Sequence, residues 1–148
     1  MREFCFRVYR FAMAAPTRRW LTVAYGIALF TVMHVPLPET PPVIPGLDKL
    51  VHFGAYAVLA VLLATWPMKT EGDDGAARRS QAGLGLLAVL IALYAGIDEL
   101  LQGPVGRTPD LLDWFADICG AGAGLMTVFV CRWAGISLLP RRQVDSAA

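Results

Sequence analysis

Tyr94–Gly124 reads YAGIDELLQGPVGRTPDLLDWFADICGAGAG and joins two strongly apolar runs. Asp98, Glu99, Gln102, Arg107, Asp110, Asp113 and Asp117 crowd into twenty residues of it. On insertion scales a charged side chain at the bilayer centre costs roughly 2.5–3.5 kcal/mol, and less toward the edges. Ionisable groups kept beside apolar helices at that cost mark a functional site by default. The apolar runs decide the fold, and the polar stretch between them is the candidate site.

The chain of 148 residues is 56% hydrophobic and 17% charged, with a mean hydropathy of +0.52. A soluble domain carries about a quarter charged residues, so the composition predicts a membrane protein. The net charge of +1 excludes nothing. Cys5, Cys119 and Cys131 fit neither a zinc nor a Cys-x-x-Cys spacing. Cys119 and Cys131 lie in an apolar run and read as small buried hydrophobes.

Outward from the polar stretch, four apolar spans are predicted: 20–37, 47–66, 82–101 and 111–133. Each has about the 17–25 residues a helix needs to cross a hydrocarbon core of about 30 Å. Lipid offers the backbone no partners, so these are helices. The fold class is all-α, an integral membrane bundle of four transmembrane helices spanning residues 20–134. Residues 1–19 form a basic segment read as a signal anchor, and Met13, opening MAAPTRRW, is a second candidate start. Residues 135–148 form a tail. The connections are a stiff proline-rich segment from Pro36 to Gly46, a polar loop from Lys69 to Gln81, and a tight turn from Gly103 to Thr108. The turn makes the third and fourth helices antiparallel neighbours.

Of the 13 Lys and Arg residues, 11 fall in the N-terminal segment, the Lys69–Gln81 loop and the C-terminal end, and only Lys49 and Arg107 fall on the other side. The excess predicts that both termini are cytoplasmic. Trp20, Trp66 and Trp133 then mark inner interfaces and Trp114 an outer one. The outer side receives His34, Glu39, Asp48, Lys49, His52, Asp98, Glu99, Gln102, Arg107, Asp110, Asp113 and Asp117. Such an acidic excess must be relieved by protonation, by a bound cation or by a cationic ligand group.

Helical spacing sharpens the cluster. Asp48, His52 and Tyr56 are four apart on one face of the second helix. Glu99 continues a ridge of small residues, Ala88, Ala92 and Gly96, in the third. Asp113, Asp117, Gly120 and Gly124 form one stripe of the fourth, with a Gly-xxx-Gly pair that permits close approach. Plainer readings stand beside these. Thr108 reads as an N-cap with Pro109 at the first helical position and Asp110 as a first-turn acid. Asp48 pairs with Lys49, Arg107 with Asp113, and His34 is an interfacial histidine. Asp117, about 13 Å inside the helix by this reading, is expected to be a hydrogen bonder orienting Glu99 or the second helix.

Asp48-Lys-x-x-His52-Phe53-x-x-Tyr56, Glu99-x-x-Gln102, Arg107 and Asp113-x-x-x-Asp117-x-x-Gly120-x-x-x-Gly124 together resemble the VanZ-like family of small membrane proteins. The resemblance covers about residues 46–130 and lies in the ordered combination. It implies a four-helix protein of the bacterial cell envelope; the founding member is associated with resistance to teicoplanin. Many relatives carry Asn where Asp117 stands, and the turn before Arg107 is one residue longer than the usual Pro-Gly-Arg.

The expected function is an outer-facing polar pocket that binds, and in the stronger form modifies, a membrane lipid or lipid-linked cell-wall molecule. Glu99, His52 and Asp113 are the catalytic candidates, with Asp48, Lys49, Tyr56, Gln102, Arg107 and Asp117 lining the ligand and Arg107 meeting a phosphate. Ala92, Gly96, Gly120 and Gly124 pack the helices. A divalent cation fits the donor types but no known ligand spacing. The competing classes are a non-enzymatic binding or resistance factor and a proton-coupled transporter; nucleic acid is not an expected partner, and an oligomer stays open.

Overall fold

The structure, a computed structural model, describes residues 15–35, 46–66, 76–136 and 138. Four helices contain most of them: α1 (Ala15–Met33), α2 (Leu47–Thr65), α3 (Ala76–Gln102) and α4 (Leu111–Trp133), with a 3₁₀ turn over Gly103–Val105. No strand occurs among the described residues. The N-terminal residues 1–14, the proline-rich residues 36–45 with Glu39, residues 67–75, and most of the tail lie outside the described residues, as does Cys5.

Segments 47–65, 83–105 and 111–133 are long and apolar enough to cross a membrane. The first helix is displaced from the predicted 20–37. It begins earlier because Pro16 sits in its first turn, where a missing N–H costs nothing. It stops at Met33 because Val35 precedes Pro36, and a residue before proline is pushed out of the α region. Arg18 and Arg19 thereby enter α1, and among the described segments it is not one of those apolar enough to cross a membrane. The loop expected over Lys69–Gln81 ends earlier in the chain than its composition suggested. Ala76–Gln81 is already helical, since Ala, Arg and Gln are good helix formers and the end of an apolar run does not end a helix.

Between α3 and α4 the chain closes with a Schellman turn. Gly106, at φ 82°, donates its N–H to Gly103 O at 3.1 Å, and Arg107 N donates to Gln102 O at 3.1 Å. The N-cap of α4 is Asp110, not Thr108: its carboxylate accepts from Leu112 N at 2.9 Å. Asp117 is therefore the seventh residue of α4, about 10 Å from its start.

The closest packing is between α2 and α4, which run parallel. A Cβ on Gly120 would strike the Phe53 carbonyl, and one on Gly124 the Ala57 carbonyl, with Ala60 Cβ 3.0 Å away. The Gly-xxx-Gly stripe thus meets the second helix and not the third, its neighbour across the tight turn. The small face of α2 (Ala57, Ala60, Ala64) accepts it instead, because two backbones approach closely only where both lack bulk. Antiparallel α3 meets α4 through Trp114, whose Nε1 donates to Ala92 O at 3.1 Å and lies over Gly96. Ala88, predicted in that ridge, is exposed. Tyr56, Ala60, Ala95 and Val128 form the buried centre, while Leu50, Leu100, Leu111 and Trp133 face outward. An outer surface this apolar suits lipid rather than water. Cys119, read as buried, is exposed on it, and Cys131 is half-buried.

Candidate functional site

The direction of each helix sorts the residues by end. The end of α1, the start of α2, the end of α3 and the start of α4 meet, and carry His34, Asp48, Lys49, His52, Tyr56, Asp98, Glu99, Gln102, Arg107, Asp110, Asp113 and Asp117. The opposite end holds Arg18, Arg19, Arg78, Arg79 and Arg132.

Lys49 is the rim of the site. Its Nζ donates to Asp48 Oδ2 at 2.9 Å, Asp110 Oδ2 at 3.0 Å and Asp113 Oδ1 at 3.0 Å. One cation so binds the first turns of α2 and α4 together. Its charge is consumed by carboxylates. Asp110 is held below the usual carboxylate range, first by the Leu112 N–H it caps and then by Lys49. The pairing expected between Asp48 and Lys49 is present, and the Arg107–Asp113 pair is replaced by Lys49–Asp113. Arg107 instead donates Nη1 to Met33 O at 2.6 Å, tying the turn to the end of α1.

One turn deeper lies the centre. His52 Nδ1 is 3.0 Å from Asp117 Oδ1, and its Nε2 is 3.9 Å from Asp113 Oδ2. With Nδ1–H donating to Asp117, Nε2 of the neutral ring is the bare base, so Asp117 fixes the tautomer. Asp117 bonds the second helix, one of the two partners expected for it. Glu99 Oε2 accepts from Asp110 N at 3.0 Å and Oε1 from Gln102 Nε2 at 3.2 Å. Ligand atoms of His52, Glu99 and Asp117 all lie within 4.8 Å of one another, and the three side chains are buried.

Three groups of this end are not among the catalytic or ligand-lining candidates. Asp98 is 1% exposed; Tyr56 OH donates to its Oδ2 at 3.4 Å, and His34 Nδ1 stands 3.7 Å from its Oδ1. His34 is thus turned toward an acid, its Nδ1–H engaged by Phe30 O at 2.8 Å. Trp114 bridges the third and fourth helices. Asp98 Oδ1 and Asp117 Oδ2 are buried with no hydrogen-bond partner.

Among the described residues six carboxylates here oppose two permanent cations, Lys49 and Arg107. Below the acids, an apolar groove of about 380 Å³ opens between Gly26, Ile27, Leu59, Leu63, Trp66 and Tyr94. Tyr94 packs its ring 6.2 Å from that of Tyr56, so groove and acidic site share a wall. The arrangement defines a helical bundle with one buried acid–histidine centre at the end of apolar, membrane-length helices. Comparison with known protein families, with curated proteins and with solved structures finds no match.

Proposed function

We propose that this chain is a multi-pass protein of the bacterial inner membrane whose acidic end, facing outward, binds the head of a lipid-linked envelope molecule. The resemblance to the VanZ-like family points the same way and supplies the context of glycopeptide resistance and envelope upkeep. One observation carries the reading: a polar centre and an apolar groove meet at the Tyr56–Tyr94 wall. An amphiphile fits such a pair, head among the carboxylates and chain in the groove. The groove starts near Leu59, twelve residues or about 18 Å along α2, deeper than one leaflet's share of a hydrocarbon core of about 30 Å. A long isoprenoid or acyl chain reaches it.

The head group follows from charge. Carboxylates in excess are acceptors, and Lys49 is shared among three of them, so hydroxyls or an amine are favoured over a bare phosphate. Chemistry at this centre is acid–base. His52 Nε2 takes or gives the proton, Asp117 orients the ring, and Glu99 and Asp113 are the second proton-carrying groups. A binding factor without catalysis uses the same contacts. A proton-coupled carrier needs proton-carrying groups along the bundle. Below Asp117 the buried described residues are apolar, Ala60, Ala64, Ala121, Leu125 and Val128 among them, apart from Thr22 and Thr65, whose hydroxyls bond carbonyls of their own helices, and Arg18 at the far end.

Purified protein in detergent, analysed by native mass spectrometry, tests this. A stoichiometric lipid-linked species is expected, lost when Gly26→Trp fills the groove, since a Cβ there meets open space. Wild type and Gly26→Trp carrying the same mixture of bulk phospholipids would sink the proposal.

A further inference from the structure

His52, Glu99 and Asp117 come from three different helices, yet their ligand atoms converge within 4.8 Å. They are 3%, 5% and 0% exposed, so the convergence is an enclosed one. Asp117 Oδ2 has no hydrogen-bond partner, and neither does the neighbouring Asp98 Oδ1. A buried carboxylate oxygen without a donor is costly and calls for a cation or a proton. The permanent cations at this end are engaged elsewhere, Lys49 at the rim and Arg107 on the Met33 carbonyl.

We propose that His52, through Nδ1, and the carboxylates of Glu99 and Asp117 bind one divalent transition-metal ion of the Mn²⁺–Zn²⁺ group. Two carboxylates neutralise such an ion, leaving the buried centre without net charge when the imidazole is neutral. The donor set of one imidazole nitrogen with carboxylate oxygens suits Mn²⁺ and Zn²⁺ better than Mg²⁺, which keeps its waters. The 3.0 Å between His52 Nδ1 and Asp117 Oδ1 is a hydrogen bond without the ion. It is also the edge between adjacent ligands bound at about 2.0–2.2 Å. With Nδ1 on the metal the ring takes its other tautomer, so Nε2 carries the proton and the metal-loaded protein does not use it as a base. Asp113 Oδ2, 3.9 Å from Nε2, is the nearby carboxylate that would close in to accept that proton, as carboxylates do for metal-bound histidines. Gln102 and the Asp110 N–H hold Glu99 in place in the same outer role. Three protein ligands leave open positions for water or for the head group of a bound amphiphile. Metal occupancy is measured without lipid and lipid binding without metal, so this site and the head-group reading stand or fall separately.

The test strips purified protein in detergent with a chelator, then titrates Mn²⁺ while following the electron paramagnetic resonance signal of free Mn²⁺. One ion per chain is expected, displaced by Zn²⁺, with a rise in melting temperature. Asp117→Asn keeps the hydrogen bond to His52 but loses the charge, and His52→Gln loses the nitrogen. Each should weaken Mn²⁺ binding by about tenfold or more. A thiol-free chain with Cys5, Cys119 and Cys131 changed to Ser should bind as wild type does. Unshifted melting of the wild type at saturating Mn²⁺ overturns the site, whatever the variants do. Undiminished binding by folded Asp117→Asn and His52→Gln overturns it as well, placing the ion on exposed acids.

Discussion

Lys49 is where a single side chain holds the most. Three carboxylates from two helices converge on its ammonium, and one of them, Asp110, also caps α4. The two roles of Asp110 separate by substitution. Asp110→Asn keeps a capping oxygen and loses the ion pair, whereas Asp110→Ala loses both, at roughly 0.5–2 kcal/mol for the cap. Thermal unfolding in detergent at neutral pH should rank them wild type, then Asn, then Ala. The sign of the pH dependence follows from the depressed carboxyl. Its contribution is complete above the unfolded value of about 3.9 and is lost as pH falls through the lower folded value. The gap between wild type and Asp110→Asn should therefore close only in acid below that value; a gap that is constant with pH would remove Lys49 from the account. Most of this cluster was legible, because Asp48, His52 and Tyr56, and Asp113 with Asp117, repeat at helical spacing. Asp98 was readable too, as Ile91, Ala95, Asp98 and Gln102 lie on one buried stripe. The ridge of small residues through Ala88 drew the face of α3 too far round. His34 carried no such signal, since its acid lies on another helix.

At the scale of elements, the contact of α2 with α4 sets the site, because His52 and Asp117 face each other one turn from Gly120. A methyl group on Gly120 or Gly124 meets backbone carbonyls of α2, which cannot turn aside as a side chain does. Gly120→Ala and Gly124→Ala should each destabilise the bundle by about 1–3 kcal/mol, the usual cost of overpacking. Gly122→Ala on the exposed face has open space around its Cβ and should be neutral or slightly stabilising. Unfolding in mixed detergent micelles gives the comparison; equal effects at all three positions would mean that helix propensity, not close approach, governs them. The Gly-xxx-Gly pair announced a close approach, but its partner was not legible from chain order. A tight turn makes α3 and α4 neighbours without making their backbones touch, and Trp114 stands between them. The beginning of α3 was hidden for a different reason: hydropathy marks what lies in lipid, and helix formation continues into water wherever propensity allows.

For the whole molecule the decisive asymmetry is charge along the bundle axis. Arg18, Arg19, Arg78, Arg79 and Arg132 occupy one end, and six carboxylates the other. By sequence position, 11 of the 13 Lys and Arg residues lie in the N-terminal segment, the Lys69–Gln81 stretch and the C-terminal end. Short basic connections resist translocation, so the basic end should stay in the cytoplasm and the acidic centre should face the envelope. The helix order makes this testable at two described, exposed positions. Thr108 sits in the turn beside the acids and Ala134 follows α4 at the far end. In a chain with Cys5, Cys119 and Cys131 changed to Ser, Thr108→Cys should react with a membrane-impermeant maleimide on intact cells. Ala134→Cys should react only after permeabilisation. The reverse pattern would leave the bundle and its acid–histidine centre intact but turn that centre toward the cytoplasm, and an outer-leaflet ligand would no longer reach it. Labelling of both positions on intact cells would mean that the chain inserts in both directions, so that charge asymmetry alone does not fix its orientation.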